Sequence, residues 1–157
     1  MKFFAIATAV TAATTPIVYG SFRDASANAV SPLTSCGSSS DVFTPKDIVL
    51  TPYPIKIGQP LQVTATGTLS APINNGSTIT VSVKEFGITL FSKTEDFCSQ
   101  ASQANKTCPI APGPQAIQAS QPVPTNVPAG TYNVEIKLND PSNAEIACLS
   151  GSLQFSK

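Results

Sequence analysis

Histidine and tryptophan are absent from this chain of 157 residues, and only 11% of it is charged. Without histidine there can be no Ser-His-Asp triad, no Cys-His dyad and no imidazole-held metal. Lys+Arg and Asp+Glu number 9 each. So few cations cannot assemble the basic face that counterion release requires, and a nucleic-acid partner is excluded. Paired CxxC spacing is missing, which argues against zinc. Gly-rich phosphate loops and Ser-x-x-Lys runs are missing too. Asp47, Glu85, Glu95, Asp96, Glu135 and Glu145 are scattered along the chain. They read as solvated surface charge, not as the paired acids of a glycosidase. Neither catalysis nor a cofactor is expected.

The chain is one domain long, with 14 prolines and abundant Ser and Thr, a composition that suits an all-β protein. Lys2 precedes an apolar run from Phe3 to Ala13, and Pro16 closes it. The run is too short to span a membrane, so residues 1–20 read as a signal peptide cleaved after Gly20, with Ala27 the alternative. Residues 21–35 are expected to form a mobile leader or pro-segment, and residues 36–157 the domain proper. Export agrees with Cys36, Cys98, Cys108 and Cys148, an even number suited to two disulfides in an oxidising compartment. Three connectivities are open. The polar segment between Cys98 and Cys108 looks like a stapled loop, which would leave Cys36 with Cys148. In the chain-entropy model the two links would contribute roughly 3 and 5 kcal/mol respectively. Asn75-Gly76-Ser77 and Asn105-Lys106-Thr107 are glycosylation sequons.

From Asp47 onward the hydrophobic period is two. Leu61, Val63, Ala65 and Leu69 alternate with Gln62, Thr64, Thr66 and Thr68. Asn74-Asn75-Gly76 then reads as a hairpin turn. Ile79, Val81 and Val83 share one face of the next strand, and Gly87 breaks it before Ile88. Ile117, Ala119 and Val123 alternate with Gln118 and Ser120. Tyr132, Val134, Ile136 and Leu138 follow the Pro128-Ala129-Gly130 turn. The last strand, from about Ala144 to Phe155, changes apolar parity near Cys148, as a bulge would require. Seven to eight antiparallel strands, with no helix of consequence, describe an immunoglobulin-like β-sandwich. Its interior would draw on Val63, Val81, Val83, Val134, Ile136 and Leu138. Periodicity alone does not say whether that interior is filled or lines a cavity.

Several segments resemble a known family. Ile48-Val49-Leu50-Thr51-Pro52 followed by Gly58-Gln59-Pro60-Leu61-Gln62-Val63-Thr64-Ala65 looks like the opening of the ML lipid-recognition domains. Cys108-Pro109-Ile110, Pro128-Ala129-Gly130-Thr131-Tyr132 and the final Cys148 strand are similar too. The likeness covers about residues 36–157. Within the family it is closest to the fungal phosphatidylglycerol/phosphatidylinositol transfer proteins, and more distant from the Niemann–Pick type C cholesterol carrier. The resemblance implies a sandwich whose sheets splay to hold a lipid, with the pairings Cys98–Cys108 and Cys36–Cys148. It implies Leu90, Val123 and Val127 near the cavity mouth and Val134 and Ile136 in its wall. The sterol carrier has tryptophan at the position matched by Ile136, so the resemblance favours acyl chains over a sterol. It also implies a phospholipid or sterol ligand, transient contact with a membrane surface, a monomer, and a secreted or vacuolar location. A sterol carrier and a secreted recognition module that engages a receptor are the alternatives.

Overall fold

The computed structural model describes residues 31–157. The signal peptide expected over 1–20, and the leader as far as residue 30, lie outside the described residues. In chain order the elements are β1 (Thr34–Ser35), β2 (Phe43–Thr51), β3 (Ile55–Lys56), β4 (Pro60–Leu69) and β5 (Thr78–Glu85). There follow β6 (Ile88–Asp96), α1 (Phe97–Gln103), β7 (Gly113–Pro122), β8 (Gly130–Asn139) and β9 (Glu145–Ser156). One sheet has the order β2-β4-β7. The other runs β1-β9-β8-β5-β6, with β3 joined to β9 in parallel. The sandwich expected from the period-two pattern is present.

Register explains the alternation. Ile79, Val81 and Val83 pair with Leu138, Ile136 and Val134, so their side chains share the inner face of the larger sheet. In the smaller sheet, Val63 and Ala65 on β4 stand beside Leu50 and Ile48 on β2 and beside Ala119 and Ile117 on β7. The β8–β9 register shifts between Leu138 and Asn139, with Ile146 unpaired. The bulge lets Ile146, Ala147 and Cys148 all be buried in succession, and it accounts for the parity change in the sequence.

Two expectations are corrected. The Asn74-Asn75-Gly76 turn closes with Ser77 N–H donating to the Asn74 carbonyl at 3.3 Å, but it does not make a hairpin. β4 and β5 lie in different sheets, so this turn sits on a crossing connection. The stapled segment, read as loop, opens with helix α1. Asp96 caps it by accepting the Ser99 N–H at 2.7 Å. Ala101 and Phe97 face inward, and the Cys98–Cys108 bridge closes the segment. Hydrogen bonds from Ser99, the backbone N–H foremost, hold the Asp96 carboxyl below its ordinary value. A depressed folded-state value contributes stability above 3.8 that is lost as the pH falls through the folded value. We expect the α1 turn to loosen on acidification below that point in the wild type, and at every pH in Asp96→Ala. Amide exchange of Ser99 checks both.

The strip 31–35, read with the leader, belongs to the sandwich. Leu33 is buried and β1 pairs with β9. The strip passes so close to Gly151 that a Cβ there would overlap the Pro32 carbonyl. Cys36, bonded to Cys148, fastens the end of the strip.

The interior divides into two clusters. Leu69, Ile73, Phe97, Ala101, Ile110, Leu138, Ile146 and Ala147 pack together beneath α1. Leu33, Ile48, Leu50, Ile55, Val134 and Leu153 form the other. Tyr132 closes that end. Its hydroxyl donates to the Pro128 carbonyl at 3.0 Å, and its ring meets Phe155 edge-on.

Candidate functional site

A filled sandwich buries its inward-facing apolar residues on every central strand. Here the two clusters are buried, yet between them the inward residues are only half-buried. Val63 and Ala65 on β4, Val81 and Val83 on β5, Ile117 and Ala119 on β7, and Ile136 on β8 share this state. Their backbone bonds are made within the sheets, so what is incomplete is the cover over their side chains, although Val63, Ala65, Val81, Val83 and Ile136 pack against the cluster around Leu50. The gap is apolar on both walls.

Strand count explains which side is open. The sheets approach where β2 passes β9 and where β3 meets β4. Five strands abreast then face three, and β6 is left largely uncovered, with every residue but Glu95 exposed. The cleft therefore opens toward the edges formed by β6 and β7. Register puts Phe91, Lys93 and Glu95 of β6 on the same face as Val83, Val81 and Ile79. Lys93 and Glu95 form an ion pair there, the lysine 59% exposed. A charged pair thus stands on the open wall, beside apolar residues that run inward.

Of the residues expected to line a cavity, the structure brings Val63, Val81, Val83 and Ile136 together in the cleft, with Val134 buried at its inner end. Val123 packs half-buried against the same cluster, and Val127 is half-buried in the loop before β8. Leu138 lies apart, buried beneath α1. Leu90 sits where the β5–β6 register shifts and is 54% exposed. Ala65, Ile117 and Ala119 were not among the expected lining residues. For Ile117 and Ala119 the signal was the same alternation, against Gln118 and Ser120, and for Ala65 against Thr64 and Thr66. Two surface grooves lie elsewhere. One, of about 260 Å³, is lined by polar residues such as Asn133, Glu135 and Ser152, and Val134 is its one link to the expected set. The other, of about 290 Å³, follows the β1 strip and Lys46.

Asn75 and Asn105 are both exposed. Their sequons differ at the third position. Thr107 is exposed, whereas Ser77 is fully buried and its hydroxyl donates to the Asn74 carbonyl at 2.8 Å. Among the described residues, no group of three or more Cys, Asp or Glu side chains is placed to hold a metal, and no helix is long and apolar enough to cross a membrane.

Comparison with known proteins gives the same picture. The profile of the ML domain family matches residues 30–155. A phosphatidylglycerol/phosphatidylinositol transfer protein of Neurospora crassa is 29% identical over 131 residues, 81% of this chain and 74% of that protein. A protein of the same name from Aspergillus oryzae is 33% identical over 119 residues, 75% of this chain and 68% of that one. Among solved structures, a Niemann-Pick type C2 protein from Japanese carpenter ant superposes with a TM-score of 0.66 at 15% identity, covering 79% of this chain and 98% of its own. Chicken MD-1, solved with lipid IVa, gives a TM-score of 0.59 at 16% identity, covering 78% and 86%. At such identities the last two share the fold.

Proposed function

The chain belongs to the ML domain family, and on that premise we propose that it carries a phospholipid between membranes, with the acyl tails held in the inter-sheet cleft. The observation that supports this most is the set of inward apolar residues left half-buried between two sealed clusters. Curated relatives named for phosphatidylglycerol and phosphatidylinositol transfer support the cargo class. Val63, Ala65, Val81, Val83, Ile117, Ala119 and Ile136 would contact the tails, and the headgroup would stay at the open side. The two disulfides support residence in an oxidising compartment, outside the cell or in a vacuole. Asn105, whose sequon is open throughout, is the better placed glycan acceptor.

Each buried methylene gains about 0.8 kcal/mol over water, and a bilayer offers nearly the same. The difference between carrier and membrane is therefore small, as release demands. No bond is made or broken in this work. Net formal charge is zero, so headgroup selection would rest on local groups and not on a field.

Native mass spectrometry of the secreted protein, followed by extraction, tests the reading. A stoichiometric phospholipid, with accelerated exchange between vesicles, is the expected result. A bound sterol would move the assignment to a sterol carrier. A protein that is empty and refuses added lipid would overturn the proposal.

A further inference from the structure

Among the described residues two ion pairs form, and each joins positions two apart on one strand. On β8, Lys137 Nζ lies 3.6 Å from Glu135 Oε1, on the outer face, away from the side taken by Val134 and Ile136. That is where a sandwich ordinarily carries charge. Lys93 and Glu95 on β6 are the exception, because register turns them to the inner face, level with Val81 and Ile79. Their setting differs as well. Glu95 is half-buried, its side chain 35% exposed. Its Oε1 meets the Lys93 ammonium, and its Oε2 accepts the Gln100 Nε2–H of helix α1 at 2.9 Å. Gln100 is itself half-buried, and its Oε1 accepts from Gln103 Nε2 at 3.4 Å. A single inward charge would suffice to keep another strand off this edge. Here a carboxylate is gripped at both oxygens, by groups from two elements, at the wall of an apolar cleft. A pair this exposed adds little to stability, so folding does not explain the arrangement.

We propose that Glu95 reads the lipid headgroup, accepting hydrogen bonds from the hydroxyls of a polyol, glycerol or inositol, that is joined to the phosphate. The inference rests on the carrier function proposed above and names the residue that selects within its cargo class. An ionised carboxylate has about four lone-pair sites and no donor. Lys93 and Gln100 each occupy one, which leaves a site on either oxygen for adjacent hydroxyls. Because its orientation is already fixed, the carboxylate gives up little freedom when a headgroup arrives. The ammonium of Lys93 spends one donor on Glu95 and keeps the others for the phosphate between polyol and tails. A site built for hydroxyls rejects an analogue without them, since the acceptor is then stripped of water and left unpaired. Placement fits this role. With the tails beside Val81 and Val83, the headgroup lies at the open side, where Lys93 is exposed and Glu95 stands next to it.

Phosphatidylglycerol and phosphatidylethanol provide the test, since they share tails, phosphate and charge and differ in the headgroup hydroxyls. With short-chain fluorescent versions of both, kept below their micellar concentration, the wild type should bind phosphatidylglycerol roughly tenfold more tightly. Glu95→Leu should bring the two affinities together, leaving the affinity for phosphatidylethanol and the unfolding midpoint in place. Glu95→Gln, which offers a neutral acceptor of the same shape, should fall between. Glu135→Leu breaks the outer-face pair and should leave the ratio intact. A wild type that binds both lipids equally, or a ratio that survives Glu95→Leu, overturns the assignment, and the pair then only guards the edge of β6. Glycerol 3-phosphate that competes as well as the lipid does would place the ligand in solution and overturn it too. A wild type that takes up neither lipid fails the carrier reading and this assignment together, whereas uptake without preference fails the assignment alone.

Discussion

Ala119→Trp is expected to lower lipid transfer roughly tenfold or more while the protein stays folded. Ala119 faces the cleft from β7, beside Val63, and is half-buried. An indole there fills space that a tail would occupy. Displacing about two methylenes forfeits about 1.6 kcal/mol, more than a factor of ten in affinity. β7 is an edge strand with room to adjust, so the added bulk should not act as overpacking does in a closed core. Ala116→Trp is the matched control. It lies on the same strand, opposite Thr66, and is exposed. Unfolding midpoints and exchange of labelled phospholipid, measured on both variants, make the comparison. If Ala119→Trp transfers lipid as well as Ala116→Trp does, the tails are not held in this cleft.

The second large effect concerns the tie between the first and last strands. Cys36 and Cys148 are 112 positions apart, whereas Cys98 and Cys108 are separated by 10. Loop-closure entropy therefore ranks them. Replacing Cys36 and Cys148 together with alanine should cost about 5 kcal/mol, and replacing the other pair about 3 kcal/mol. For a domain of this size the first loss lowers the unfolding midpoint on the order of 15 °C or more. Structure adds to entropy here. Without the bridge, Leu33 and the Pro32 backbone would lose their anchor against Gly151, and the cluster around Leu50 and Leu153 would be opened. Denaturant unfolding of the two double variants gives the ranking. Equal losses would show that strain or residual structure governs these links, and not loop length.

Much of this was legible in the chain. The alternation in 61–69, 79–83 and 132–138 assigned each side chain to a face, because a pleated strand allows only two. What was not legible was which sheet each strand joins. Asn74-Asn75-Gly76 has hairpin chemistry, but local turn preference does not say whether the next strand returns beside the last or crosses to the other layer. The hairpin at Phe86-Gly87 carries a residue that turn statistics would not choose. Helix α1 was hidden because Ser, Gln and Ala over seven residues have no strong period. Its capping aspartate was the one cue. The cleft was harder still. Val81 and Leu138 look alike in the pattern, but Leu138 is sealed in the cluster beneath α1 while Val81 stays half-buried on the wider sheet.

That division of labour has a consequence for how such a protein can change. Conformational stability resides at the two ends, in the clusters beneath α1 and around Leu50, and in the disulfides that fasten them. The lining positions contribute less to it, because they are only half-buried. A substitution there alters the volume and shape offered to a guest without endangering the host. Cargo preference can then drift over a few mutations, each individually tolerable, while the scaffold stays the same. Proteins of one architecture can in this way come to hold quite different lipids.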